Sequence, residues 1–232
     1  MKKAMWILSV LSLIGTVAVF PFLPDSVPMH YNLAGEVDRF GSKYENLILP
    51  IIILAFCVFW HFFIGYYEKK AAKTGSGKEA AEAVSNAKVL KVAGVMTTAL
   101  FAVMQACILF GAYAGATADS GHAPVDLLQV TSMGVGVMFV VLGNIMPKAK
   151  RNAAVGFRTV HSMFNDTTWR KTNRFAGIAL MAAGLLTIIT ACLTKSPLTI
   201  ILQLVYMFAA VLLSLFYSYK IYREERNKKE TN

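Results

Sequence analysis

The sequence predicts an all-α, polytopic membrane protein with six transmembrane helices and both termini in the cytoplasm, and three observations predict it. Of the 232 residues, 56% are hydrophobic, and the mean hydropathy is +0.53. The apolar residues gather into long runs instead of recurring at helix or strand spacing, which is the pattern of a chain in lipid and not of a large soluble core. Six runs free of Asp, Glu, Lys and Arg span 4–24, 46–67, 92–118, 127–147, 175–194 and 196–219. Each matches the roughly 20 residues that a helix needs to cross a bilayer.

The third observation is charge. With the amino terminus, 68–91, 148–174 and the tail from 220 placed inside, that side holds 20 of the 23 basic residues and seven of the 13 acids. Only Arg39, Lys43 and Lys195 remain outside, against six acids. Lysine and arginine accumulate on the cytoplasmic side of membrane proteins. The net charge of +10 is therefore a topology signal, and it gives no support to direct nucleic-acid binding.

The first run follows Met1-Lys2-Lys3 and exceeds the apolar core of about 7 to 15 residues found in a secretory signal. Small residues at cleavage spacing are missing before Pro21 and Pro24, so it reads as a retained helix. The second run gathers Phe59, Trp60, Phe62, Phe63, Tyr66 and Tyr67 toward its inner end, as an interfacial belt does. His61 reads as an interface residue, with a ligand or proton-relay role as the alternative. Residues 68–91 join a flexible Gly-Ser-Gly patch to an alanine-rich charged stretch of good helix propensity and read as a cytoplasmic linker. The chain then divides into a two-helix domain (1–67), the linker (68–91), a four-helix domain (92–219) and a basic cytoplasmic tail (220–232). In the rear helices Gly111 and Gly115, Ser132 and Gly136, and the cluster Ala182-Ala183-Gly184 provide small residues for close helix packing.

The runs hold no Asp, Glu, Lys or Arg, and their strongest polar groups are Gln105, Gln203, Asn144 and His61. Coupled transporters place ionisable groups at depth, so ion-coupled transport is disfavoured. No HExxH, GxSxG or GxxxxGK[ST] occurs, and "GSGK" at 75–78 lacks the rest of a phosphate loop. No catalytic residue, metal site or cofactor is expected. Cys57, Cys107 and Cys192 all lie in apolar runs without paired spacing, which indicates free thiols.

Two polar loops remain. In "LPDSVPMHYNLAGEVDRFGSK", residues 23–43, Pro24 and Pro28 stiffen the exit from helix one, and Asn32 to Gly35 offers turn chemistry. The segment is either a structured connector or a ligand-binding surface built on Asp25, His30, Asn32, Gly35, Asp38 and Lys43. A metal site from His30, Asp25, Asp38 and His122 has acceptable ligands but no tight spacing. In the second loop, 143–177, Pro147 ends helix four and Lys148, Lys150 and Arg151 meet the headgroups. Asn165 or Asp166 can cap helix five, whose first turns carry Trp169, Arg170, Lys171 and Arg174. Anionic lipid is attracted by about 1 kcal/mol per nearby Lys or Arg. An acidic cytoplasmic partner is the other reading of the same charge.

The outer loop resembles the signature LPxxxPxHxNxxGxxDxxxSK of a bacterial domain of unknown function, met here by Leu23, Pro24, Pro28, His30, Asn32, Gly35, Asp38, Ser42 and Lys43. The inner loop is similar to the SdpI-family pattern GNxMPKxKxNxxxGxRTPWTxxxxxxWxKTxRxxG, met by Gly143, Asn144, Met146, Pro147, Lys148, Lys150, Asn152, Gly156, Arg158, Thr159, Trp169, Lys171, Thr172, Arg174 and Gly177. Val160-His161-Ser162 stands where the family has Pro-Trp-Thr. The resemblance implies a multipass protein of the bacterial plasma membrane, without enzymatic activity, that gives immunity to a secreted membrane-active toxin peptide and signals to a cytoplasmic repressor. It makes Asn144, Lys148, Asn152, Arg158, Trp169, Lys171 and Arg174 the candidate inner partner- or lipid-binding residues. A passive channel and a membrane enzyme using His30 or His161 are the competing classes.

Overall fold

The computed structural model describes residues 1–32, 36–117, 124–152, 155–194 and 197–230. Each apolar run forms a helix: α1 Lys2–Val19, α2 Ile48–Thr74, α3 Lys78–Thr117, α4 Leu127–Ile145, α5 Asp166–Leu193 and α6 Leu198–Glu230. All six are long and apolar enough to cross a membrane. Their ends follow local chemistry. Pro21 lies in the 3₁₀ turn Phe20–Phe22 that closes α1; the Asp126 carboxylate accepts the Gln129 N–H at 3.0 Å to open α4; Pro147 lies in the turn Met146–Lys148 that follows α4. The Asp126 cap and the 3₁₀ turns satisfy backbone groups that a helix end leaves bare.

Residues 68–91 are helical on both sides of a short glycine break. α2 continues to Thr74 and α3 begins at Lys78, leaving Gly75–Gly77 as the only break. Gly75 and Gly77 take φ values of +67° and +118°, which favour glycine. The alanine-rich stretch is helical, as its composition favours; Ala80, Ala83 and Ala87 are buried, and Glu68 joins Lys2 at 2.5 Å and Lys91 at 2.6 Å, tying α1, α2 and α3 at one end. The tail likewise has no separate form through Glu230, since it continues α6.

α3 packs on α1 and α2 and also on α4, while α5 lies between α4 and α6. The tightest seam joins α4 to α5. A Cβ on Gly143 would stand 2.5 Å from the Gly177 carbonyl, and one on Gly184 would stand 2.6 Å from that of Gly136. Two glycine pairs, seven residues apart on each helix, let antiparallel backbones touch; in lipid such packing, not apolar burial, holds helices together.

The segment 23–43 forms a hairpin between α1 and α2. Strands β1 (Ser26–Tyr31) and β2 (Val37–Ser42) pair antiparallel, Val27 opposite Gly41 and Pro28 opposite Phe40, with irregularities at Met29 and Asp38. This hairpin adds a small β element to a helical fold. It rests on the far end of α3, where Pro28 abuts Gly115 and the Tyr31 hydroxyl donates to the Gly111 carbonyl at 3.4 Å.

Candidate functional site

The described loops lie at opposite ends of the bundle. At the hairpin end, the signature residues mostly hold one another. Lys43, only 15% exposed, reaches Asp25 at 3.0 Å and donates to the Leu23 carbonyl at 3.3 Å, joining the two feet of the hairpin. Ser42 caps the 3₁₀ turn Lys43–Leu47 and Glu45 answers its backbone N–H at 3.0 Å, a reciprocal capping box. Arg39 holds the same Glu45 at 3.0 Å. Across the strands, His30 Nδ1 lies 2.5 Å from Asp38 Oδ1. Near the tip, Asn32 donates from its side-chain amide to Glu36 at 2.9 Å and accepts the Glu36 N–H at 3.0 Å. Beneath the strands Leu23, Val27 and Ala112 form a small apolar cluster with Met29 against it. Burial pushes the Tyr31 phenol up from its ordinary pKa.

Of the outer candidates, Asp25 with Lys43 and His30 with Asp38 are thus brought together in pairs, and Asn32 joins Glu36. Gly35, with the turn it was expected to make, lies outside the described residues, as do His122 and Lys195. Of the conceivable metal ligands, His30 and Asp38 meet, while Asp25 turns to Lys43. Phe40 (61% exposed) stands on β2 as an apolar surface group that motif reading did not single out. The capping box was legible as Ser42-x-x-Glu45.

The inner loop is a folded unit made of side-chain to backbone bonds. Asn152, buried, accepts the Val155 N–H at 2.7 Å and donates to the Lys150 carbonyl at 2.6 Å. Gly156 sits at φ +117° with Trp169 and the Asn173 amide beside it; any Cβ would lie 2.6 Å from Asn173 Oδ1. That oxygen accepts the Phe157 N–H at 2.7 Å. Trp169, buried, donates its indole N–H to the Ala149 carbonyl at 2.8 Å. Asn165 is the cap of α5, as expected, and exchanges bonds with Thr168. Arg151 pairs with Asp166 at 3.0 Å and Lys78 lies 3.6 Å from the same carboxylate, linking the loop to the start of α3.

The departure Val160-His161-Ser162 finds distinct uses. Val160 is 87% exposed. His161 packs edgewise on Tyr219, with ring centres 5.1 Å apart, and tilts against Tyr222 at 5.0 Å. Ser162 is fully buried: its hydroxyl accepts the Thr159 N–H at 2.8 Å and donates to the Phe157 carbonyl at 3.0 Å. A serine keeps the hydroxyl that the family's threonine supplies. Thr159 reaches Ser218 of α6 at 3.0 Å, which pins the loop to the last helix.

The inner candidates therefore separate. Asn152 and Trp169 build the loop, Lys171 lies 3.8 Å from Glu225 of α6, and Asn144, Lys148, Arg158 and Arg174 are exposed. Motif reading missed Ser162, Thr168 and Asn173 as organisers, although Ser, Thr and Asn near helix starts are the residue types that bond to backbone.

Six spanning helices with a folded loop at each end define the class: a multipass α-helical membrane protein. Residues 7–54 match a domain of unknown function, DUF1648, and residues 148–219 match the SdpI/YfhL protein family. That segment is similar to the SdpI/YfhL family and lies behind an amino-terminal segment similar to DUF1648, and the chain is a multipass bacterial membrane protein. The immunity protein SdpI of Bacillus subtilis (strain 168) is 21% identical over 214 residues, 92% of each chain. An uncharacterized protein of Archaeoglobus fulgidus is 57% identical over 30 residues, 13% of this chain and 16% of that one. No solved structure matches the chain.

Proposed function

We propose that this is a membrane immunity protein that protects its cell from a secreted, membrane-active toxin peptide. The observation that carries the reading is the alignment with an immunity protein over 92% of both chains. The outer hairpin is the surface that meets the toxin, through His30, Asn32, Asp38 and the exposed Phe40. Its internal hydrogen bonds and ion pairs support this, because a recognition surface fixed beforehand loses little ordering entropy on binding.

The basic end faces the cytoplasm in this reading, with both termini there. Lys2, Glu68, Lys91, Lys78, Arg151 and Asp166 meet at that end, where the positive-inside bias puts it. The exposed Lys148, Arg158, Arg170 and Arg174 bind anionic lipid there and offer a surface to an acidic partner or repressor. The test is the membrane potential of toxin-sensitive bacteria treated with the peptide secreted by the host or a close relative. Cells carrying the protein keep their potential; collapse at an unchanged rate, with the protein present in the membrane, refutes immunity.

A further inference from the structure

One buried polar junction has no part in either loop surface. Where α1, α3 and the 3₁₀ turn Lys43–Leu47 meet, Gln105 donates its amide to Thr16 Oγ1 at 3.0 Å and to the Asn46 carbonyl at 3.0 Å. The Asn46 amide in turn donates to the Lys43 carbonyl at 3.0 Å. Gln105 is 2% exposed and Asn46 3%. Their orientations are fixed, because each NH₂ faces a carbonyl that can only accept. Gln105 Oε1 and Asn46 Oδ1 are left buried with no donor among the described residues, and Ser12 Oγ, one turn below Thr16, is in the same condition.

We propose that this junction binds one ordered water molecule, held by Gln105 Oε1 and Asn46 Oδ1. The stoichiometry selects the ligand. Two bare acceptors on residues that already hydrogen-bond each other need two donors, and a water supplies two while its own oxygen accepts from a hydroxyl such as Ser12. A metal cation fits poorly: every side-chain oxygen here is neutral, so its charge would stand uncompensated inside a membrane bundle. The water completes the joint between the hairpin's base and two spanning helices, since Asn46 follows Lys43 by three residues. The inference stands independently of the immunity reading.

The test uses the full chain in lipid nanodiscs with ¹⁵N-labelled Gln and Asn side chains, and reads magnetisation transfer from water to the amides. The expected result is a cross-peak from long-lived water at both Gln105 and Asn46, retained in Thr16→Val, which removes the neighbouring hydroxyl proton as a source. In Gln105→Met the Asn46 cross-peak is lost. Absence of water cross-peaks at both amides of the unaltered protein overturns the proposal. So does movement of these amide signals when sodium chloride is exchanged for choline chloride, which assigns the site to a cation instead.

Discussion

At residue scale, the family positions in the two loops are held by geometry that can be separated from binding. Gly156 combines φ +117° with a filled Cβ position. Gly156→Ala therefore costs more than the 1 kcal/mol or so that bounds the gain at a compatible site, and a lowered thermal midpoint in detergent checks it. The Lys43–Asp25 pair is lopsided: the Asp25 side chain is 96% exposed, while Lys43 is largely covered and also holds the Leu23 carbonyl. Asp25→Asn should change stability by no more than about 1 kcal/mol, the range of exposed ion pairs. Lys43→Met should do more, because it frees a backbone carbonyl at the hairpin foot, and faster proteolysis between residues 24 and 44 is the readout.

At the scale of elements, the α4–α5 seam and the hairpin depend on small residues for opposite reasons. Gly143 and Gly177 face each other across two helices, so Gly177→Val forces the backbones apart. The expected loss is about 1–3 kcal/mol, as for other overpacked sites, read as a lower unfolding temperature without loss of membrane insertion. Gly115 instead receives a proline: a Cβ there would stand 3.0 Å from Pro28 Cγ. Gly115→Leu should unseat the hairpin and leave the rear helices intact, so amide exchange accelerates in 26–42 and stays unchanged in α4 and α5. Within the immunity reading, that variant loses protection at normal abundance, and preserved protection would remove the hairpin's seating from the mechanism.

At the scale of the molecule, α3 spans about 60 Å at 1.5 Å per residue and touches both loops. The Lys150 N–H donates to Ser85 near its start at 3.4 Å, and the hairpin sits on its other end. The charge at each end predicts orientation. Single cysteines placed at Phe40 and Gly75, in a chain whose native cysteines are replaced, should react with an impermeant thiol reagent from outside and only after permeabilisation, respectively. The reverse pattern would invert the proposed topology.

How much was legible in the sequence follows from the range of each interaction. Spanning helices are determined by the sequence alone, because in lipid a long uncharged run must satisfy its backbone bonds within itself. The caps at Asn165 and the box Ser42–Glu45 are equally local. The helix propensity of the alanine-rich part of 68–91 was legible, but its packing was not, because Ala80, Ala83 and Ala87 are buried and Glu68 meets Lys2 and Lys91 from two other helices. The hairpin was hidden as well: Val27 and Pro28 are consecutive and both buried, which breaks the alternation that marks a strand, and only α3 beneath them makes that favourable. Tertiary structure likewise decided the mating of Gly143 with Gly177 and the junction of Thr16, Asn46 and Gln105. Close approach and amide pairing between segments up to 89 residues apart leave no period in the chain that makes them.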